Sequence, residues 1–355
     1  MQDRGREAVT VVIPTYNGAA HIEETLESLR QQTTDNFEVV VIDDGSEDGT
    51  QAKVAAHPLE ARLIEQPHLG VAVARNRGLA EARGRWITFL DQDDLWHPTR
   101  LLRLLDWLSA HPSERVVATT EKAFSTLDET DDLSAADPLA GQWAELLVPR
   151  GNAYRQLCAM GDVRGSDAVE AFDHRALLKG PITVTTSFIA DPMVLRLAGG
   201  FAPHAIAHDD YCLLVNAARL APVTKLDQPT VFYRVHLRAT SRTTRLALPF
   251  LATGVALRFG GGLVPANEAL QRGTTGDLHR HLLDEVMRSD EYADPRVRRA
   301  TAHLAELLFD GGAKDQRTRA QLRLRAPATM RSLSRLLQRL LGDRTAWSSQ
   351  PASDA

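Results

Sequence analysis

Only two cysteines, Cys158 and Cys212, occur in 355 residues, and neither belongs to a Cys-x-x-Cys pair or has histidines at zinc-finger spacing. Neither a disulfide framework nor a structural zinc is implied. No apolar run reaches the roughly 20 residues that a membrane-spanning helix needs. The most apolar stretch, Leu246 to Leu257, is broken by Pro249 and Gly254 and stops at Arg258. The first residues, Met1 to Glu7, are polar and charged and lead straight into an apolar run at Val9, without the apolar core or cleavage site of a signal peptide. The expected location is cytoplasmic. An excess of basic charge is missing too: 41 Lys and Arg face 46 Asp and Glu, a formal net charge of -5, which gives no whole-molecule footprint for nucleic acid. What is present is ordinary globular composition, 43% apolar and 25% charged, in a chain long enough for about two domains.

Through the first third, short β-branched runs alternate with segments of helical period. Val9 to Ile13 reads as a strand, followed by a helix from about Ala19 with Ile22, Leu26 and Leu29 on one face. Phe37 to Ile42 is a second strand, with a helix capped by Asp48 after it. Arg62 to Glu65 is a third, then a helix over Val71 to Ala82. Trp86 to Leu90 is a fourth, with Pro98 at the first position of a helix carrying Leu101, Leu102, Leu105 and Leu108. Strands separated by helices must be largely parallel, and continuous apolar runs such as Val39 to Ile42 fit a sheet covered on both faces. The expected class is α/β. Between about Phe124 and Lys179 the regularity fails, and a loop with helical pieces is expected. Thr183 to Ala190 reads as a strand, followed by a helix with Asp191 as its cap and Gly199-Gly200 as its stop. Asp209 to Leu220 reads as a helix and Pro222 to Val235 as a pair of strands.

In an open parallel sheet, ligands bind at the carboxyl ends of the strands. Three polar clusters sit there: Pro14-Thr15-Tyr16-Asn17-Gly18, Asp43-Asp44-Gly45-Ser46 and Asp91-Gln92-Asp93-Asp94. Carboxylates crowded on one edge repel unless a cation or hydrogen-bond donors sit among them, and an oxygen-rich set favours Mg2+ or Mn2+ over zinc.

These clusters, with Ala74-Arg75-Asn76-Arg77-Gly78, strongly resemble the family 2 inverting glycosyltransferases of the GT-A fold, in order and spacing as well as content. The resemblance continues more loosely through Gly199-Gly200-Phe201, Asp209-Asp210-Tyr211 and Tyr233-Arg234-Val235-His236. It implies a nucleotide-diphospho-sugar donor, UDP-linked by expectation, and a carbohydrate, lipid-linked or small-molecule hydroxyl acceptor. It places Pro14, Thr15 and Tyr16 along the nucleotide pocket, Asp44 on the base, and the segment from Gly70 to Arg75 over the site. Asp91, Gln92 and Asp93 form the DxD element, with Asp93 and Asp91 toward the metal, Mn2+ or Mg2+, and His236 as a further ligand. Asp210 falls where the family has its catalytic base. The chain has Asp209-Asp210 where the family commonly has Glu-Asp, so Asp209 stays an alternative. Other readings of the same clusters are a catalytically silent nucleotide-sugar binder or scaffold, and a sugar nucleotidyltransferase.

The resemblance implies a nucleotide-sugar-binding half, residues 1–120, and an acceptor-binding half, 121–240, and stops near Ser241; the shift to Arg and Leu in helical patterns makes 241–355 a C-terminal helical segment by expectation. That last segment interleaves arginines from Arg317 to Arg339 with leucines. It reads either as a basic helix on an anionic membrane surface or as a helix packed on the enzyme or a second subunit. Pro327 splits the tract and favours packing.

Overall fold

The computed structural model describes residues 8–129, 144–149, 151–160, 165–166, 168–177, 181–202, 209–237 and 239. The chain divides into two compact units, 1–244 and 245–355. The expectations for the C-terminal segment therefore lie outside the described residues.

The first unit is built on one sheet in the order β3-β2-β1-β4-β9-β6-β10-β5. Its first half is parallel: β1 (Val9–Thr15) lies between β2 (Phe37–Asp43) and β4 (Trp86–Phe89), and β3 (Arg62–Glu65) pairs with β2. The intervening helices are α1 (Ile22–Arg30), α2 (Thr50–Ala56) and α3 (Val71–Glu81), with α4 (Arg100–Ala110) after β4. All seven residues of β1 are buried, as a central strand covered on both faces requires. Val9, Val11 and Ile13 join Ile22, Leu26 and Leu29 of α1 and Leu101, Leu104 and Leu108 of α4 in one core. Val12 points the other way, against α3. A Cβ on Gly78 would meet Val12 Cγ1 at 2.2 Å, so glycine is what lets this helix lie so close to the strand.

The second half mixes directions. β9 (Phe188–Ala190) runs antiparallel to both β4 and β6 (Val116–Thr126), which in turn pairs parallel with β10 (Val223–Arg234) and β7 (Leu146–Val148). β5 (Leu95–Trp96) and β8 (Val169–Phe172) flank β10 antiparallel. Helices α5 (Ala153–Met160), α6 (His174–Leu177), α7 (Pro192–Leu197) and α8 (Asp209–Ala217) complete the described part.

Four expectations are corrected. Pro222 to Val235 forms one long strand, not two. Pro229 is absorbed by an irregularity between Leu226 and Val231 in the pairing with β6, where a proline without an N–H is tolerated. Thr183 to Ala190 contains a 3₁₀ turn, Thr185–Ser187, before a three-residue strand. The stretch from Phe124 to Lys179 holds β7 and β8 as well as helices. Pro98 precedes α4 by two residues instead of opening it. The α7 expectation holds in detail: Asp191 accepts from Met193 N, and Gly199 and Gly200 end the helix at positive φ, 97° and 70°.

Candidate active site

The chain passes outward from β1 through β2 to β3 and then returns to place β4 on the other side of β1. This reversal opens a crevice beyond the carboxyl ends of β1 and β4, the usual place for a ligand in such a sheet. Gln92, in the turn after β4, closes its floor. Its Oε1 accepts from Thr15 Oγ1 at 2.6 Å and Tyr16 N at 2.9 Å, and its Nε2 donates to Tyr16 O at 3.2 Å. The β1 loop thus rests on Gln92. A Cβ on Gly18 would meet Gln92 Oε1 at 2.2 Å, which explains the glycine of that loop.

Asp44 is buried, and both its oxygens are engaged by the segment before α3. Oδ1 accepts from Leu69 N at 2.9 Å and Gln66 Nε2 at 2.7 Å, and Oδ2 from Gly70 N at 2.8 Å, with His68 Nδ1 at 2.9 Å. The same histidine stacks on Tyr16 with ring centroids 3.9 Å apart and planes 23° from parallel. The segment from Gly70 to Arg75 is therefore anchored here as the first turn of α3, and Asp44 is its anchor.

Arg75 joins two acids that lie far apart in sequence. Nη2 donates to Asp91 Oδ1 at 2.7 Å and Nη1 to Asp209 Oδ2 at 2.9 Å, with the guanidinium over the Phe201 ring. Burial pushes the pKa of Asp209 upward, Arg75 opposes that, and the charge of Asp210 adds to it. Burial likewise raises Asp91 against the pull of Arg75. For Arg75 itself burial works against its charge, but the surrounding carboxylates outweigh it and hold it protonated. Asp210, next in sequence, takes neutral donors: Thr185 Oγ1 reaches its Oδ2 at 2.7 Å and Tyr211 N its Oδ1 at 2.6 Å.

Asp93 faces His236, with Oδ2 and Nε2 2.9 Å apart. Burial would raise its pKa, but the hydrogen bond and charge of His236 lower it overall. Beside them Asp94 is buried. Its Oδ1 accepts from Arg234 N, its Oδ2 has no partner, and burial with the charges of Asp93 and Asp91 pushes its pKa well up. Arg234 fastens the whole turn: Nε donates to Asp93 O at 2.8 Å, and its guanidinium pairs with Glu24 at 2.6 Å and Glu129 at 3.4 Å. His21 stands 4.9 Å from His236, ring to ring, its pKa lowered to about 4 by burial and then by Arg234 and His236.

The structure thus brings Pro14 to Tyr16, Arg75, Asp91 to Asp93, Asp210 and His236 to one edge of the sheet. Sequence reasoning assigned no role to His68, Thr185, Glu24, Glu129 or His21. Arg234 stood inside a recognised motif without a role. The others carry no local signal, because each acts on a residue far along the chain.

Among the described residues, no three His, Cys, Asp or Glu side chains converge as a ready cation site. The donors present fit a divalent metal nonetheless. Asp93 offers a carboxylate, the donor that suits Mn2+ and Mg2+, with the His236 imidazole beside it. Cations of this kind are commonly held by one or two carboxylates together with substrate phosphates, without an all-protein cage.

A sheet of this order, with these polar strand ends at its reversal point, defines an α/β domain of the GT-A type. Residues 10–160 match the family described as Glycosyl transferase family 2. Over those residues the chain is similar to the family 2 glycosyltransferases. The succinoglycan biosynthesis protein ExoO of Rhizobium meliloti is 46% identical over 100 residues, 28% of this chain and 29% of that protein. An uncharacterised glycosyltransferase of Nostoc sp. is 26% identical over 234 residues, 64% of this chain and 65% of its own. Against the first four curated relatives the chain spans 29% to 41% of their length. Among solved structures, S. aureus TarS 1-349 in complex with UDP-GlcNAc matches with a TM-score of 0.51 at 18% identity, covering 95% of this chain and 87% of that one. That likeness is one of fold. No helix among the described residues is long and apolar enough to cross a membrane.

Proposed function

We propose that the protein transfers a sugar, with inversion, from a nucleotide-diphospho-sugar to a hydroxyl acceptor, in a divalent-metal-dependent direct displacement. The observation that carries this reading is the meeting of the Asp91–Asp94 turn with the acidic start of α8 across Arg75, bonded at 2.7 and 2.9 Å. On this reading, leaving-group chemistry and a candidate base share one edge of the sheet. The acceptor oxygen forms its bond to the anomeric carbon as the bond from that carbon to the diphosphate oxygen breaks. The electron pair leaves on the diphosphate, and the acceptor's proton goes to Asp210. One carboxylate within hydrogen-bond reach suffices for this proton transfer. Asp93, Asp91 and His236 would hold the cation, Mn2+ or Mg2+, whose charge would offset that of the departing phosphate without a proton. Pro14 to Tyr16 line the nucleotide, and Asp44 acts there by fixing the segment from Gln66 to Gly70. UDP is the favoured nucleotide by family resemblance. The acceptor in this reading is a carbohydrate, lipid-linked or small-molecule hydroxyl, and one relative is named for succinoglycan biosynthesis.

The test is a thermal-shift panel of UDP, GDP, CDP and dTDP with and without Mn2+ or Mg2+. A ligand that binds only the native state stabilises it by about 2.7 kcal/mol at a hundred times its Kd. One nucleotide is expected to raise the melting temperature in a metal-dependent manner, and Asp93→Ala to abolish the metal dependence. An undiminished Mn2+-dependent shift in Asp93→Ala would overturn the metal assignment. Absence of any shift would overturn the donor.

A further inference from the structure

Two acids open α8, and their surroundings differ. Asp209 is 3% exposed and its Oδ2 is bonded to Arg75. Asp210 has neutral partners, the hydroxyl of Thr185 on Oδ2 and the amide of Tyr211 on Oδ1. A carboxylate offers about four lone-pair positions. These two donors occupy one on each oxygen, which fixes the plane of the group and leaves positions open for an acceptor hydroxyl.

We infer that Thr185 is the positioning residue for Asp210, an inference that rests on the reading of Asp210 as the base. Thr185 is itself 3% exposed and opens the 3₁₀ turn Thr185–Ser187 that leads into β9, in the middle of the sheet. That turn is pinned from several sides. Thr186 O accepts from Trp96 Nε1 at 3.1 Å and from Arg100 Nη2 at 3.4 Å, Ser187 N donates to Val184 O at 3.1 Å, and Thr88 Oγ1 donates to Phe188 O at 2.7 Å. A hydroxyl mounted on so constrained a turn holds its partner in place, whereas one on a loose loop would follow it. The sheet thereby sets the direction in which Asp210 presents its free lone pairs, although Thr185 touches no substrate. A buried threonine that merely satisfied its own hydroxyl would not require its partner to be a carboxylate at the reacting edge.

The experiment compares Thr185→Val, which keeps the shape and loses the hydroxyl, with Thr185→Ser, which keeps the hydroxyl. Release of nucleoside diphosphate from nucleotide sugars, with water as acceptor, gives kcat and KM, and calorimetric binding of UDP with Mn2+ gives the affinity. Thr185→Val is expected to lower kcat on the order of 10- to 100-fold, the effect of losing one hydrogen bond to a charged group. Its donor KM and UDP affinity should stay within about twofold of wild type, since the contact belongs to the chemical step and not to donor binding. Thr185→Ser should restore the rate. Combined with Asp210→Asn, Thr185→Val should cost nothing more, because residues that act as a unit are not additive. Wild-type kcat in Thr185→Val would overturn the positioning role, as would equal loss in Val and Ser variants accompanied by weaker UDP binding. Should Thr185→Val not fold, Thr185→Ala gives the same comparison. Failure of the wild-type protein to turn over any nucleotide sugar would instead remove the transferase reading, and this inference with it.

Discussion

Arg75 keeps two carboxylates together that would otherwise repel across the crevice. It is 6% exposed, and its partners Asp91 and Asp209 come from the turn after β4 and from α8. Removing one member of a buried ion pair leaves an uncompensated charge, which typically costs about 3–5 kcal/mol. Arg75→Met is therefore expected to lower stability on that order in urea denaturation, and Asp209→Asn added to it should recover part of the loss by removing one stranded charge. An unchanged midpoint in Arg75→Met would contradict the clamp. The sequence alone marks Arg75 only as a donor-side residue, because its partner Asp209 is 134 positions away. Asp44 shows the same limit: its acidic motif is legible, but its four contacts with Gln66, His68, Leu69 and Gly70 appear only once β2 and the start of α3 are side by side.

Legibility at the level of elements follows how each one is covered. β1, β2 and β4 lie between layers of helices, so their apolar runs stand out, and α7 is announced by Asp191-Pro192 at one end and two glycines at the other. No strand is expected over Val116 to Thr126, because its middle residues, Thr120 to Ala123, are only half covered and read Thr-Glu-Lys-Ala. β8 reads Val-Glu-Ala-Phe but is exposed at three of its four positions, and four residues with no alternation of covered and open faces do not mark a strand. Short polar links also matter at this scale. His97 lies just before α4, where its Nδ1 accepts from Thr99 N at 3.3 Å, and burial, then the charge of Arg103, lowers its pKa below the usual 6.5. The folded state thus binds the proton less readily than the unfolded chain, so this contribution is present above pH 6.5 and is lost as pH falls through the folded value. Denaturation from pH 7 to pH 5 should show a shallower loss of stability in His97→Asn, which retains an acceptor but does not titrate. Parallel curves for the two proteins would contradict that origin.

At the scale of the molecule, the sheet supplies the arrangement and its edge supplies the chemistry. The reversal between β1 and β4 opens the crevice, β10 brings Arg234 and His236 to the Asp91–Asp94 turn, and β9 carries Thr185 to Asp210. Residues from the first 94 positions and residues from beyond 184 therefore meet at one edge of the sheet. The central claim is that this edge moves a sugar with Asp210 as base. It is tested most directly by release of nucleoside diphosphate from a panel of nucleotide sugars with Mn2+ or Mg2+, measured for wild type and Asp210→Asn beside calorimetric binding of the same donors. Wild type is expected to release diphosphate from at least one donor, and Asp210→Asn to bind that donor equally well while releasing it on the order of 10²- to 10⁴-fold more slowly. Release by Asp210→Asn at the wild-type rate, or wild-type binding of donors without any release, would contradict it.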